Sequence, residues 1–140
     1  MSSGKIIGLD IGTRRIGIAI TDESGAICFP RTTVMADTEK VLLSRIVQYI
    51  SQEKVLMVVV GLPLGEDNEL TKSALRIQSF CQKLTAVLPS IHLTYVDEFG
   101  STREAQANIP LKKHRKEKGR DDTQAALIIL QRYVTGIGRL

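Results

Sequence analysis

Apolar residues recur along this chain with two periods, and the change between them separates strands from helices. Residues 5–11 and 15–21 read as two β-like runs joined by Gly12-Thr13-Arg14, a turn short enough for a hairpin. The turn signal Asp22-Glu23-Ser24-Gly25 precedes a third strand over 26–32. Leu42, Leu43, Ile46, Val47 and Ile50 then recur at helical spacing, with Asp37 or Thr38 placed to cap the start. Residues 55–60 are a continuous apolar run bounded by Gly61 and Pro63, which suits a central strand covered on both faces. After a loop over 62–70, Ile77, Phe80, Cys81, Leu84 and Leu88 mark a second helix, with Thr71 as its cap and Pro89 ending it. A fifth strand follows at 91–96. A short helical stretch near 102–108 and a basic segment come next. A final helix over 121–134 closes the order, with Gly136-Ile137-Gly138 as a tail.

The predicted order is β-β-β-α-β-α-β-α-α. An antiparallel meander followed by right-handed parallel βαβ units gives one mixed five-stranded sheet flanked by helices. That is the arrangement of the ribonuclease-H-like α/β fold. A length of 140 residues suits a single domain over 1–140, and no internal repeat is visible. No apolar run reaches the roughly 18 residues that a membrane-spanning helix needs. The N-terminus enters a strand directly, without the long apolar core of a signal peptide. The expectation is a cytoplasmic protein with no membrane partner.

Charge changes this picture in one place. The formal net charge is +4, yet residues 112–120 alone hold six positive side chains and one negative, which leaves the rest near neutral. Lys112, Lys113, Arg115, Lys116, Lys118 and Arg120 supply the positive charges, on a segment that follows Pro110 and has no apolar periodicity. A flexible basic loop at about 110–120 is expected. A solvated face is the ordinary reading of such a run, but here it leads straight into the last helix, which favours a grip on phosphates. Two cysteines, Cys28 and Cys81, lie far apart in apolar surroundings and read as reduced core thiols. Three Phe, three Tyr and no Trp argue against extensive base stacking.

Three carboxylates stand out. Asp10 interrupts the apolar run of residues 5–11, where an uncompensated charge would cost several kcal/mol. A metal ion, a buried arginine or a cap on the Gly12-Thr13 turn could each compensate it. Glu98 follows Asp97 at the end of the fifth strand, and in strand alternation it shares a face with His92, Thr94 and Val96. An acidic pair at a strand end is often simply solvated. Asp122 heads the stripe of Ala125, Ala126, Ile129, Leu130 and Tyr133. Asp121 instead shares a wetter face with Gln124, Ile128 and Arg132, and suits the N-cap. Carboxylates gathered from a first strand, a strand end and a last helix repel one another unless divalent cations lie among them. Oxygen ligands of this kind select Mg2+ or Mn2+. Two such ions about 4 Å apart can drive phosphodiester hydrolysis.

Several stretches together resemble the YqgF/RuvX family, relatives of the RuvC Holliday-junction resolvase in the ribonuclease-H-like superfamily. The matching residues run Gly8-Leu9-Asp10-Ile11-Gly12-Thr13-Arg14-Arg15-Ile16-Gly17-Ile18-Ala19, then Val60-Gly61-Leu62-Pro63-Leu64. Asp97-Glu98, Ser101-Thr102 and Ala105 follow, then Asp122-Thr123-Gln124-Ala125-Ala126 with Ile129-Leu130-Gln131. The resemblance implies that Asp10, Glu98 and Asp122 bind the catalytic metal. It implies a role like that of a nuclease acting on the 5′ end of pre-16S ribosomal RNA, and a resolvase role has also been proposed for the family. The chain departs from the pattern at Phe99-Gly100, where an arginine and a bulky apolar residue are usual. It departs again at Asp121, usually apolar. Gly119 stands where RuvC carries a further acidic ligand, so a four-carboxylate resolvase site is incomplete.

Arg14 and Arg15 lie just beyond Asp10 and are expected to hold phosphate, with Arg15 alternatively a structural ion-pair partner. Thr102 joins the expected nucleic-acid contacts. Asp10-Ile11-Gly12-Thr13 also resembles the phosphate loop of the actin and sugar-kinase fold, but those proteins need two such domains. A non-catalytic RNA-binding assembly factor is a further reading. Symmetric cutting of a DNA junction would require an isologous homodimer.

Overall fold

The computed structural model describes residues 4–97, 120–137 and 140. The hairpin forms as the turn requires. β1 (Lys5–Ile11) and β2 (Arg15–Thr21) pair antiparallel, and Gly12 N–H donates to Arg15 O at 2.7 Å to close the connection. β3 (Cys28–Met35) pairs with β2, β4 (Val55–Leu62) lies parallel to β1, and β5 (His92–Asp97) lies parallel to β4. The sheet order is β3-β2-β1-β4-β5. Among the described residues three helices pack on it: α1 (Glu39–Glu53), α2 (Lys72–Val87) and α3 (Arg120–Thr135), with a 3-10 turn at Glu66–Asn68.

Most element boundaries follow the sequence pattern, and the differences have local causes. β3 starts and ends later than residues 26–32 suggest. The Asp22 side chain organises the preceding turn: Oδ1 accepts from Ser24 Oγ at 2.7 Å, and Asp22 N–H donates to Ile27 O at 3.0 Å. Chain that looked extended is therefore spent on the turn. Thr38, rather than Asp37, caps α1, its hydroxyl oxygen accepting from Val41 N–H at 3.2 Å. Thr71 caps α2 in the same way, accepting from Ala74 N–H at 3.0 Å. α3 already begins at Arg120, so the basic segment ends one residue earlier than expected and Asp121 falls inside the first turn instead of capping it. The expected helix near 102–108 lies outside the described residues.

Strand alternation divides the core in two. Ile7, Leu9 and Ile11 of β1, Ile16, Ile18 and Ile20 of β2, and Val58, Val60 and Leu62 of β4 face α1 and α2. On the other side, Ala19, Val59 and Val96 meet Ala126, Ile129 and Leu130 of α3. The two helical layers approach differently. α1 and α2 rest on large branched side chains, whereas α3 lies over Gly8, Gly17 and Ala19, where the sheet presents almost no side chain. A Cβ at Gly17 would stand 2.1 Å from Asp122 O, and one at Gly8 would stand 2.9 Å from Ala126 O. Glycine in these strands serves close backbone approach.

The sheet edges are interrupted. Pro30 removes a donor from β3, and Leu140 N–H donates to Tyr95 O on β5 at 3.1 Å. Among the described residues no helix is long and apolar enough to cross a membrane. Both cysteines are free. Cys81 is buried within the α1/α2 core, and burial pushes its thiol up to about 11.

Two outcomes are expected. Gly17→Ala should destabilise the protein by about 2–3 kcal/mol, more than Gly8→Ala, because the intruding methyl meets rigid backbone; urea denaturation measures both. A thiol-reactive probe at pH 8 should modify one cysteine of the native protein, Cys28, and both after unfolding. Native labelling of Cys81 at the unfolded rate would contradict the packing described.

Candidate active site

Parallel pairing brings the C-terminal ends of β1, β4 and β5 to one edge of the sheet. β2, antiparallel to β1, starts there at Arg15. Because Ile7, Leu9 and Ile11 point to α1 and α2, alternation gives Asp10 to the face that α3 covers. Its register partner on β2 is Gly17. The absent side chain at Gly17 admits the first turn of α3, and with it Asp122. One glycine therefore brings two carboxylates of distant sequence to the same place.

Asp10, Gly12, Thr13, Arg14, Arg15 and Asp122 line a single cleft of about 290 Å³. Asp10 is half-buried and Arg14 is exposed. Asp122 is only 9% exposed. Arg15 Nε stands 3.0 Å from Asp122 Oδ2, with 35% of the Arg15 side chain exposed against 12% for Asp122. The contact is Coulombic in character: its N–H is not aimed at the oxygen, and Asp122 Oδ2 is buried with no hydrogen bond from any described residue. A buried carboxylate oxygen without a hydrogen bond is costly and calls for a cation nearby.

The structure brings together Asp10, Asp122, Arg14 and Arg15. Asp97 ends β5 in register with Leu62 at the same edge. Glu98, Thr102, Lys112, Lys113, Arg115, Lys116 and Lys118 lie outside the described residues. Arg120 opens α3. One face of α3 differs from its reading in sequence: Arg132, grouped with the wetter positions, is only 8% exposed. Helical spacing tells which residues share a face but not how deep a neighbouring layer will cover it. Gly12 and Thr13 belong to the cleft wall, and Gly8 and Gly17 position the helix above it. The signal for the latter pair was present in the sequence as isolated glycines within apolar strands.

A divalent cation fits part of this arrangement. Asp10 and Asp122 are hard oxygen donors on one cleft, and the buried Asp122 Oδ2 still lacks a hydrogen bond. Among the described residues no group of three or more His, Cys, Asp or Glu could hold a metal, so the two aspartates need a further ligand.

Relatives extend this geometry. The family model described as "RuvX: Holliday junction resolvase" matches residues 4–136. A protein of Porphyromonas gingivalis named "Putative pre-16S rRNA nuclease" is 38% identical over 135 residues, covering 94% of this chain and 96% of its own length. One of the same name from Picosynechococcus sp. is 37% identical over 130 residues, covering 91% and 90%. Among solved structures, Thermus thermophilus RuvC in complex with a Holliday junction substrate superposes with a TM-score of 0.60 at 11% identity, covering 98% of this chain and 99% of its own. The yeast mitochondrial Holliday junction resolvase Ydc2 gives a TM-score of 0.56 at 10% identity, covering 95% and 78%. At such low identity these structures speak for the shared ribonuclease-H-like fold. The two carboxylates, the sheet edge that joins them and the match along nearly the whole sequence agree: the chain belongs to the RuvX family of nucleases.

Proposed function

We propose that this protein is a divalent-metal-dependent endonuclease that cleaves phosphodiester bonds in structured RNA, and that its substrate is the 5′ end of pre-16S rRNA. The observation that carries the reading is the cleft shared by Asp10 and Asp122, which Arg14 and Arg15 also line, with Arg15 Nε 3.0 Å from Asp122 Oδ2. The names of the curated relatives favour ribosomal RNA as the substrate. That setting implies a cytoplasmic enzyme.

Asp10 and Asp122 would hold Mg2+ or Mn2+ in a two-ion site. Glu98, which follows Asp97 in the sequence and matches the family's third acidic position, would be the third ligand. Bound there, the metal supplies an activated water and neutralises charge on the phosphodiester. The protein's own groups act on position and charge. Gly12, which has no side chain, and Thr13 line the cleft together with Asp10, so a phosphate can come close to Asp10. Arg14 and Arg15 present guanidinium groups that match phosphate in geometry and charge. Lys112, Lys113, Arg115, Lys116, Lys118 and Arg120 supply sequence-independent grip on the backbone, with Thr102 a further contact. Low aromatic content suits recognition by shape rather than by base stacking.

A second reading, resolution of four-way DNA by a homodimer, is favoured by the description of the matching family. A third, a ribosome assembly factor that binds RNA without cutting it, would leave the carboxylates a folding role.

One experiment separates all three. Wild type, Asp10→Asn and Asp122→Asn are incubated with a pre-16S rRNA 5′ leader and with a four-way DNA junction, in Mn2+ and in EDTA. The expected result is Mn2+-dependent cleavage of the RNA, reduced at least ~100-fold by either substitution, or about 2.7 kcal/mol of lost transition-state stabilisation. Cleavage of the junction alone would transfer the assignment to DNA. Binding of RNA without cleavage by wild type would support the assembly-factor reading.

A further inference from the structure

Asp122 faces two rival cations. The first is a guanidinium: Arg15 Nε lies 3.0 Å from Asp122 Oδ2. The second is the divalent ion for which the same buried oxygen is a ligand, so the inference rests on the metal-site reading above. The two cannot share that oxygen at full strength, because each brings positive charge to within a few ångströms of the other.

The way Arg15 holds Asp122 bears on which one yields. A guanidinium bound for stability forms a fork of aligned N–H bonds to its carboxylate. Here the approach is through Nε, and Asp122 Oδ2 receives no hydrogen bond. Asp122 is fixed on the first turn of α3 against Gly17, where a Cβ would already collide with its backbone. Arg15 starts β2 at the sheet edge, beside the turn that carries exposed Arg14, and a third of its side chain reaches solvent. The carboxylate is anchored and the guanidinium is not.

We propose that Arg15 is an exchangeable counter-ion of the catalytic carboxylate. It neutralises buried Asp122 until a divalent cation takes the oxygen, and on release it turns within the same cleft toward substrate phosphate. Arg15 thus has two successive partners, Asp122 and phosphate, and couples metal loading to nucleic-acid binding. Since coupling between two ligands is reciprocal, bound phosphate draws Arg15 off Asp122 and tightens the metal, as the metal tightens the phosphate.

Mn2+ titration calorimetry on wild type, Arg15→Gln, Arg15→Lys and Asp122→Asn tests the exchange without reference to turnover. Arg15→Gln should bind Mn2+ roughly 5- to 10-fold more tightly than wild type. Arg15→Lys, which keeps the charge, should stay close to wild type, and Asp122→Asn should bind far more weakly. A cleavage-resistant phosphorothioate RNA hairpin should tighten Mn2+ binding less in Arg15→Gln than in wild type, by the same factor. Unchanged or weaker Mn2+ affinity in Arg15→Gln, with wild type still binding through Asp122, would overturn the exchange and leave the metal site standing. Absence of Mn2+ binding by wild type would remove both. Should Arg15→Gln fail to fold alone, Mn2+ must restore its thermal transition; failure to do so counts against the proposal.

Discussion

The site depends on how closely α3 can approach the sheet. Interior packing tolerates little error, and a helix seated on branched side chains stands well above the strands. Over Gly8, Gly17 and Ala19 that spacing collapses, and backbone meets backbone at the first turn of α3. The burial of Asp122, its proximity to Arg15 and its place on the cleft with Asp10 all follow from this contact. The opposite face, filled by isoleucine, leucine and valine against α1 and α2, provides rigidity and carries none of the described cleft residues. The two sides of one sheet therefore have separate tasks: one fixes the strands, and the other uses them as a platform.

Electrostatics at the cleft follows the same division. Asp122 is held where water cannot fully solvate it, at a cost that a neighbouring positive charge must offset. Arg15 offsets it from the hairpin, the element adjacent to Asp10. Structural and chemical demands on Asp122 thus converge on one oxygen. Among the described residues its Oδ2 receives no hydrogen bond, so the nearby guanidinium supplies the compensating charge.

Much of this was legible in the sequence, for reasons that can be named. Asp10 was conspicuous because a charge inside an apolar strand needs compensation, and Asp122 because it continues the buried stripe of its helix. The element order followed from the switch between periods, and the mixed sheet from the handedness of βαβ units, whereas the strands that α3 covers did not. What the sequence withheld were matters of tertiary distance. Gly17 stood in the sequence as an isolated glycine in an apolar strand, with nothing to name Asp122 as the group that comes close. Arg15 had two readings, and only the folded hairpin shows it against a carboxylate. Arg132 looked wet on a helical wheel and is buried, since a wheel carries no depth. β3 shifted because the Asp22 side chain folds a turn from residues whose apolar character resembled strand.

The treatment of the sheet margins has its own consequence. An open five-stranded sheet offers two lateral rows of peptide groups to any extended chain it encounters. Here one row is broken by Pro30 and the other is engaged by the amide of Leu140. Growth by strand addition is disfavoured at both margins, so the sheet is a poor template for a second copy of the chain.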